Sequence, residues 1–223
     1  MLIISNKAKD EFRKFLAKEN IEFIETIDNP NLYEPIGDHP DLSIFPLGDG
    51  KILVDKVLAP YYREKLPTYE IIEGDSVKVK YPYDSIYNVY EGDDFFIHND
   101  LTESHILAHM EDKTHLRVNQ GYTRCSIIPM GDRILTGDYG IYKKLRDEIK
   151  IILLPREDID LPGFETGFIG GTCGLYGDRL IFDGDIERLK SFEIIKENAD
   201  EAGLTLVYPK DLDLKDLGSL MAV

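Results

Sequence analysis

The phrase "GDRILTGD" at residues 131–138 returns almost unchanged as "GDRLIFDGD" at 177–185. Two weaker copies stand upstream. The four segments are "HPDLSIFPLGDGKILVDK" (39–56), "DSIYNVYEGDDFFIHND" (84–100), "YTRCSIIPMGDRILTGD" (122–138) and "GFIGGTCGLYGDRLIFDGD" (167–185). Their pivot glycines are Gly48, Gly92, Gly131 and Gly177, spaced 44, 39 and 46 residues apart. A period in that range is the mark of a repeat architecture. Each copy reads as an apolar strand, a tight Gly/Asp turn and an apolar return strand: "KILV", "DFFI", "RILT", "RLIF". Gly accepts positive φ in such turns and Asp tolerates it. Strands this apolar throughout are buried on both faces.

A helical stretch follows each hairpin. Asp100 and Thr102 are placed to cap "ESHILAHMED", Asp138 to cap "YGIYKKLRDE", and Asp185 to cap "IERLKSFEIIKENADEAG". Pro60 suits the first turn of a helix over "YYREKL". A short strand then follows each helix: "YEII", "HLRV", "IKIILL" and "LTLVY". The unit is strand-strand-helix-strand, at about 39–80, 84–120, 122–158 and 164–210. A fifth unit is split between the chain ends. Residues 1–28 supply strand, helix and strand, and the C-terminal residues 217–223, ending in "GSLMAV", supply the strand that closes the ring. No interdomain linker interrupts this pattern, so residues 1–223 read as a single domain. The Pro- and Asn-rich stretch 28–40 reads as a long loop, a kind often functional.

Composition narrows the function. Lys and Arg number 26 against 42 Asp and Glu, a formal net charge of −16. Such a surface repels phosphate backbones and argues against nucleic acid as a partner. It favours small cations or basic partners, although acidity also serves solubility alone. Two cysteines, Cys125 and Cys173, are too few for a disulfide framework and suit a reducing cytoplasm. The N-terminus turns polar after four apolar residues, so no secretion signal or membrane span is expected. No zinc spacing, phosphate loop or dinucleotide fingerprint is present, so neither a metal nor an organic cofactor is expected. His105 and His109 have helical ligand spacing but no third partner, and read as a surface face.

A pseudo-fivefold ring of such units resembles the pentein fold, the α+β architecture also called a β/α-propeller. That superfamily contains guanidino-group-modifying enzymes such as arginine deiminase, dimethylarginine dimethylaminohydrolase and agmatine deiminase, together with a non-enzymatic ribosome anti-association factor. The layout looks most like an uncharacterised bacterial family of that fold. Two short stretches carry the motif resemblance. His39 and Asp41 in "HPDLSIF" match a His-x-Asp at the start of a strand, where the resemblance implies a general acid/base and a guanidinium clamp. Cys173 in "IGGTCGL" matches a nucleophilic Cys in the last repeat after a glycine-rich lead, with Gly170 and Gly171 letting backbone approach the substrate. The pattern departs in two places. Gly174 and Leu175 follow the Cys where a bulky residue and Ser or Thr are usual, and the His-x-Asp comes early in the chain rather than late. The further carboxylate that these enzymes use is assigned to Asp84, with Asn88 beside it.

These residues compose one chemistry. Carboxylates of Asp41 and Asp84 would accept paired N–H bonds from a planar guanidinium. The Cys173 thiolate, favoured by the cation beside it, would attack the central carbon. His39 would protonate the leaving amine and then activate water. Arg124 would bind a substrate carboxylate or form a salt bridge. Each residue also has a bland reading. Cys173 and Cys125 can be small core hydrophobes, the glycines a site of crowding around the ring axis, and His39 an ordinary loop residue before Pro40. Two function classes therefore stand: a cofactor-independent C–N hydrolase of guanidino compounds, or a catalytically inert pentein that binds a protein, a ribosomal surface or a small molecule.

Overall fold

The computed structural model describes all of residues 1–223. The chain opens with β1 (Leu2–Ile4), α1 (Asp10–Lys18) and β2 (Phe23–Glu25). A 3-10 turn at Pro40–Leu42 leads into β3 (Ile44–Gly48), β4 (Lys51–Asp55), α2 (Ala59–Lys65) and β5 (Glu70–Gly74). Next come β6 (Tyr90–Glu91), β7 (Phe95–His98), α3 (Ser104–His109) and β8 (Thr114–Arg117). A short helix α4 (Thr123–Ser126) precedes β9 (Ile127–Met130), β10 (Arg133–Thr136), α5 (Tyr139–Leu145) and β11 (Ile151–Leu153). A 3-10 turn at Ile169–Thr172 precedes β12 (Cys173–Tyr176), β13 (Arg179–Phe182), α6 (Phe192–Ala202), β14 (Thr205–Val207) and finally β15 (Met221–Ala222).

These strands form five three-stranded sheets, ordered β15-β1-β2, β3-β4-β5, β6-β7-β8, β9-β10-β11 and β12-β13-β14. In each, the first pair is antiparallel and the second is parallel, joined by a helical crossover. The hairpins at Gly131 and Gly177 are two-residue turns with the glycine at φ +63° in the first central position, as a II′ turn requires. The two ends of the chain meet in the sheet β15-β1-β2. Leu2 pairs with Ala222 and Ile3 with Met221, and the Met1 ammonium donates to the Val223 carbonyl at 3.1 Å.

Amphipathic helices cover the sheets. On α1, Phe12 and Leu16 are four residues apart, lie on one face and are fully buried against Leu2, Ile4 and Ile181. Burial of each contributes about 1.5–3 kcal/mol. The first strands β3, β6, β9, β12 and β15 converge on the ring axis. Phe45, Tyr90, Pro129, Leu175 and Met221, one from each, line a common groove of about 220 Å³. No helix is long and apolar enough to cross a membrane.

Local readings needed three corrections. Glu103, rather than Asp100 or Thr102, caps α3, its carboxylate accepting from the His105 and Ile106 amides. Asp138 caps α5 as expected, but Asp185 caps a 3-10 turn at Ile186–Arg188, and α6 begins only at Phe192. The first strand read in the segment 84–100 is confined to Tyr90–Glu91. Residues 84–88 are turns, with the Asn88 amide donating to Ser85, and Tyr87 is apolar there because its ring is buried and its hydroxyl donates to the Asp75 carbonyl.

Candidate active site

Three strands of the ring are preceded by the same device, a single tight turn. His39, Tyr122 and Phe168 flank these turns on their N-terminal side, each five residues before the first residue of β3, β9 and β12. The repeat therefore delivers them to equivalent places. All three line one cavity of about 160 Å³, together with Asp41, Cys125 and Asp216. The rings of Tyr122 and Phe168 lie 6.0 Å apart, and the Tyr122 hydroxyl donates to Asp84 Oδ2 at 2.6 Å.

Two buried carboxyls dominate the electrostatics. Burial pushes Asp41 up to about 6, opposed by the Ser219 hydroxyl, which donates to Oδ2 at 2.8 Å, and by the Arg124 charge. Its Oδ1 has no hydrogen-bond partner, nor has Asn88 Nδ2. Burial pushes Asp216 higher, to about 7; the Phe168 amide (2.8 Å) and Gly218 amide (3.1 Å) oppose this, while Asp41 and Asp38 add to it. His39 Nδ1 stands 4.0 Å from Asp216 Oδ1. Burial lowers this imidazole to about 4 against the pull of Asp38, so it is neutral at physiological pH. Burial raises the Cys125 thiol well above its ordinary value, as do Asp41 and Asp216. Its Sγ lies 3.5 Å from Asn88 Oδ1, which also accepts from the Arg124 amide at 2.8 Å and thus pins the turn carrying the cysteine. Asp84 is raised by burial, and the Tyr122 hydrogen bond opposes it.

The other expected residues sit apart from the cavity. Cys173, read from the sequence as the nucleophile, is fully buried among Ile128, Leu180, Phe182 and Ile195, and burial pushes its thiol up to about 12. It does not line the cavity. As the first residue of β12, opposite Phe182, Cys173 belongs to the aliphatic core between sheet and helix. Gly170 and Gly171 make room for protein rather than ligand. A Cβ on Gly170 would come within 2.5 Å of the Cys125 and Ile127 carbonyls, and one on Gly171 would overlap Asp216. Asp84 acts on the cavity through Tyr122, and Asn88 through Cys125. Arg124 lines the axial groove, and its Nη1 is buried without a partner. No group of His, Cys, Asp and Glu is arranged to hold a metal ion.

Sequence reasoning missed Asp216, Tyr122 and Phe168 and weighed Cys125 as core. One signal was available for Asp216. "DLGSL" at 216–220 precedes β15 much as "DLSI" at 41–44 opens β3.

Solved structures with the same ring include dimethylarginine dimethylaminohydrolase from Pseudomonas aeruginosa, a cysteine-to-serine mutant complexed with citrulline. It is 10% identical, with a TM-score of 0.55 over 97% of this chain and 92% of that one. The substrate-bound N-terminal domain of a cyanobacterial arginine dihydrolase is 12% identical, with a TM-score of 0.54 over 92% and 80%. An amidinotransferase of saxitoxin biosynthesis from Microseira wollei is 11% identical, with a TM-score of 0.51 over 94% and 76%. The chain thus has the pentein fold, shared with guanidino-modifying enzymes. Within it, the chain belongs to the family of unknown function DUF6873, matched over residues 3–221. No curated protein matches it in sequence.

Proposed function

We propose that this chain hydrolyses a C–N bond of a guanidinium compound held in the cavity, with Cys125 as nucleophile and His39 as proton carrier. The observation that carries the reading is the juxtaposition of two buried carboxyls, Asp41 and Asp216, with a thiol and a neutral imidazole in one cavity. Buried carboxyls without a counter-cation are costly, and a planar cation that donates to both relieves that cost. The same cation lowers the cost of ionising Cys125.

The steps balance as follows. His39 takes the thiol proton and the sulfur attacks the guanidinium carbon. The C–N bond to the departing amine breaks, and His39 returns the proton to that nitrogen. Water, deprotonated by His39, then adds to the sulfur-bound carbon, the C–S bond breaks, His39 returns its proton to the sulfur to restore the thiol, and the proton left on the urea passes through solvent to the released amine. The products are an amine or ammonia and the corresponding urea. Asp84 and Asn88 act as positioning residues, through Tyr122 and through the turn bearing Cys125. The raised Cys125 thiol favours a second reading, a guanidinium-binding protein that keeps the pocket without turnover.

Labelling by a haloacetamidine and a neutral haloacetamide, mapped by mass spectrometry, tests the assignment. The proposal expects fast, selective alkylation of Cys125 by the cationic reagent and no labelling of Cys173 before unfolding. Equal, slow labelling by both reagents would sink it. Release of ammonia or amine from guanidino compounds separates turnover from binding alone.

A further inference from the structure

We infer that the site takes a compact guanidinium or amidinium with a short apolar substituent and no carboxylate. The inference rests on the guanidinium reading of the cavity and names its substrate class. Size is the first argument. The cavity measures about 160 Å³. An apolar cavity of about 150 Å³ holds one benzene. Guanidinium carrying a methyl or ethyl group matches that volume, whereas the longer chain and amino-acid end of arginine exceed it.

The lining is the second argument. Apart from Asp41, Asp216, His39, Cys125 and Tyr122, the walls are aliphatic and aromatic, save the Thr166 hydroxyl. Thr166 Oγ1 is already turned to the Ile159 and Gly167 carbonyls, at 3.4 and 3.3 Å. No Lys or Arg lines the cavity. The two lysines whose charges reach His39 are engaged elsewhere, Lys7 with Asp38 at 2.7 Å and Lys215 with Asp160 at 4.0 Å. Arg124, whose charge reaches Asp41, lines the axial groove and not this cavity, so a substrate carboxylate inside the cavity would be desolvated with no Lys or Arg in the wall around it, which is expensive. Phe164, one of the lining residues, meets Tyr33 edge-on with rings 6.0 Å apart, so part of the wall is aromatic.

The test measures binding of guanidine, methylguanidine, ethylguanidine, agmatine and arginine to the full chain at pH 8. Thermal shift is one readout, and protection of Cys125 from a small haloacetamide is the other. The expected result is that methylguanidine and ethylguanidine raise the melting temperature and protect Cys125 at concentrations at least about tenfold below any effect of arginine or agmatine. Binding of arginine or agmatine as tight as that of methylguanidine overturns the size and charge assignment while leaving the site a guanidinium site. If none of the five binds or protects Cys125, the inference and the reading beneath it both fall.

Discussion

Raising the pH should tighten binding of a guanidinium ligand, and the structure sets the size of the effect. Asp41 is pushed up to about 6 and Asp216 to about 7, each chiefly by burial. The cation binds their ionised forms, so below these values it must displace protons. The sign follows: affinity falls as pH drops through 7 and then 6. His39, lowered to about 4, stays neutral throughout and adds nothing above pH 5. If both carboxyls must ionise, affinity rises about a thousandfold between pH 5 and 8; Asp41 alone gives about tenfold, and Asp216 alone about a hundredfold. Calorimetry with methylguanidine in buffers of different ionisation enthalpy counts the protons directly. At pH 6 about 1.4 protons should leave per ligand bound, half of one from Asp41 and most of one from Asp216. An affinity independent of pH, with no proton release, would refute the carboxylate-clamp reasoning.

Three further outcomes follow from the same geometry. Asp216→Asn removes a carboxyl that the unfolded chain ionises near pH 4 and the folded chain only near 7; wild type therefore loses about 4 kcal/mol from this group as pH rises from 4 to 8 and the variant does not. Urea unfolding of both proteins across that range reads the difference, and a constant gap would refute it. Gly171→Ala places a methyl on Asp216 and should abolish methylguanidine binding, with a stability loss of about 1–3 kcal/mol in the same assay; a variant that binds as wild type does would mean that the Asp216 position is dispensable. Cys173→Ala should cost about 1–2 kcal/mol through its core cavity and leave ligand binding intact, whereas Cys125→Ala should keep binding and lose turnover; a turnover assay in which the two variants exchange these roles would restore Cys173 as nucleophile.

Much of the ring was legible in the sequence because its cues are local. A Gly at φ +63° in a two-residue turn, an Asp138 capping α5 and a Phe12/Leu16 stripe are each written within a few residues. Cues that need a distant partner were misread. Glu103 could displace Thr102 as the cap of α3 because it also reaches the Asp75 amide at 3.1 Å, 28 residues away. The apolar residues of 84–88 imitate a strand because Tyr87 is buried by other units.

The choice between the cysteines shows what a repeat conceals. Cys173 begins β12 and Ile127 begins β9, so the two hold the same place in their units, and that place faces the core. The cavity is served by the turn before the strand. Cys125 stands two residues before Ile127, and its counterpart two residues before Cys173 is Gly171. A cysteine cannot stand at position 171, because Asp216 occupies the space that its Cβ would take. The units thus divide the site among themselves: the first gives His39 and Asp41, the third Tyr122 and Cys125, the fourth Phe168 and a glycine that admits Asp216 from the segment leading into β15. A glycine-rich lead before a cysteine is then a sign of crowding at the axis in one unit and says nothing about the sulfur two residues on. What identifies the cavity cysteine is its offset from the strand start, the same offset that places Leu42 on the cavity wall in the first unit.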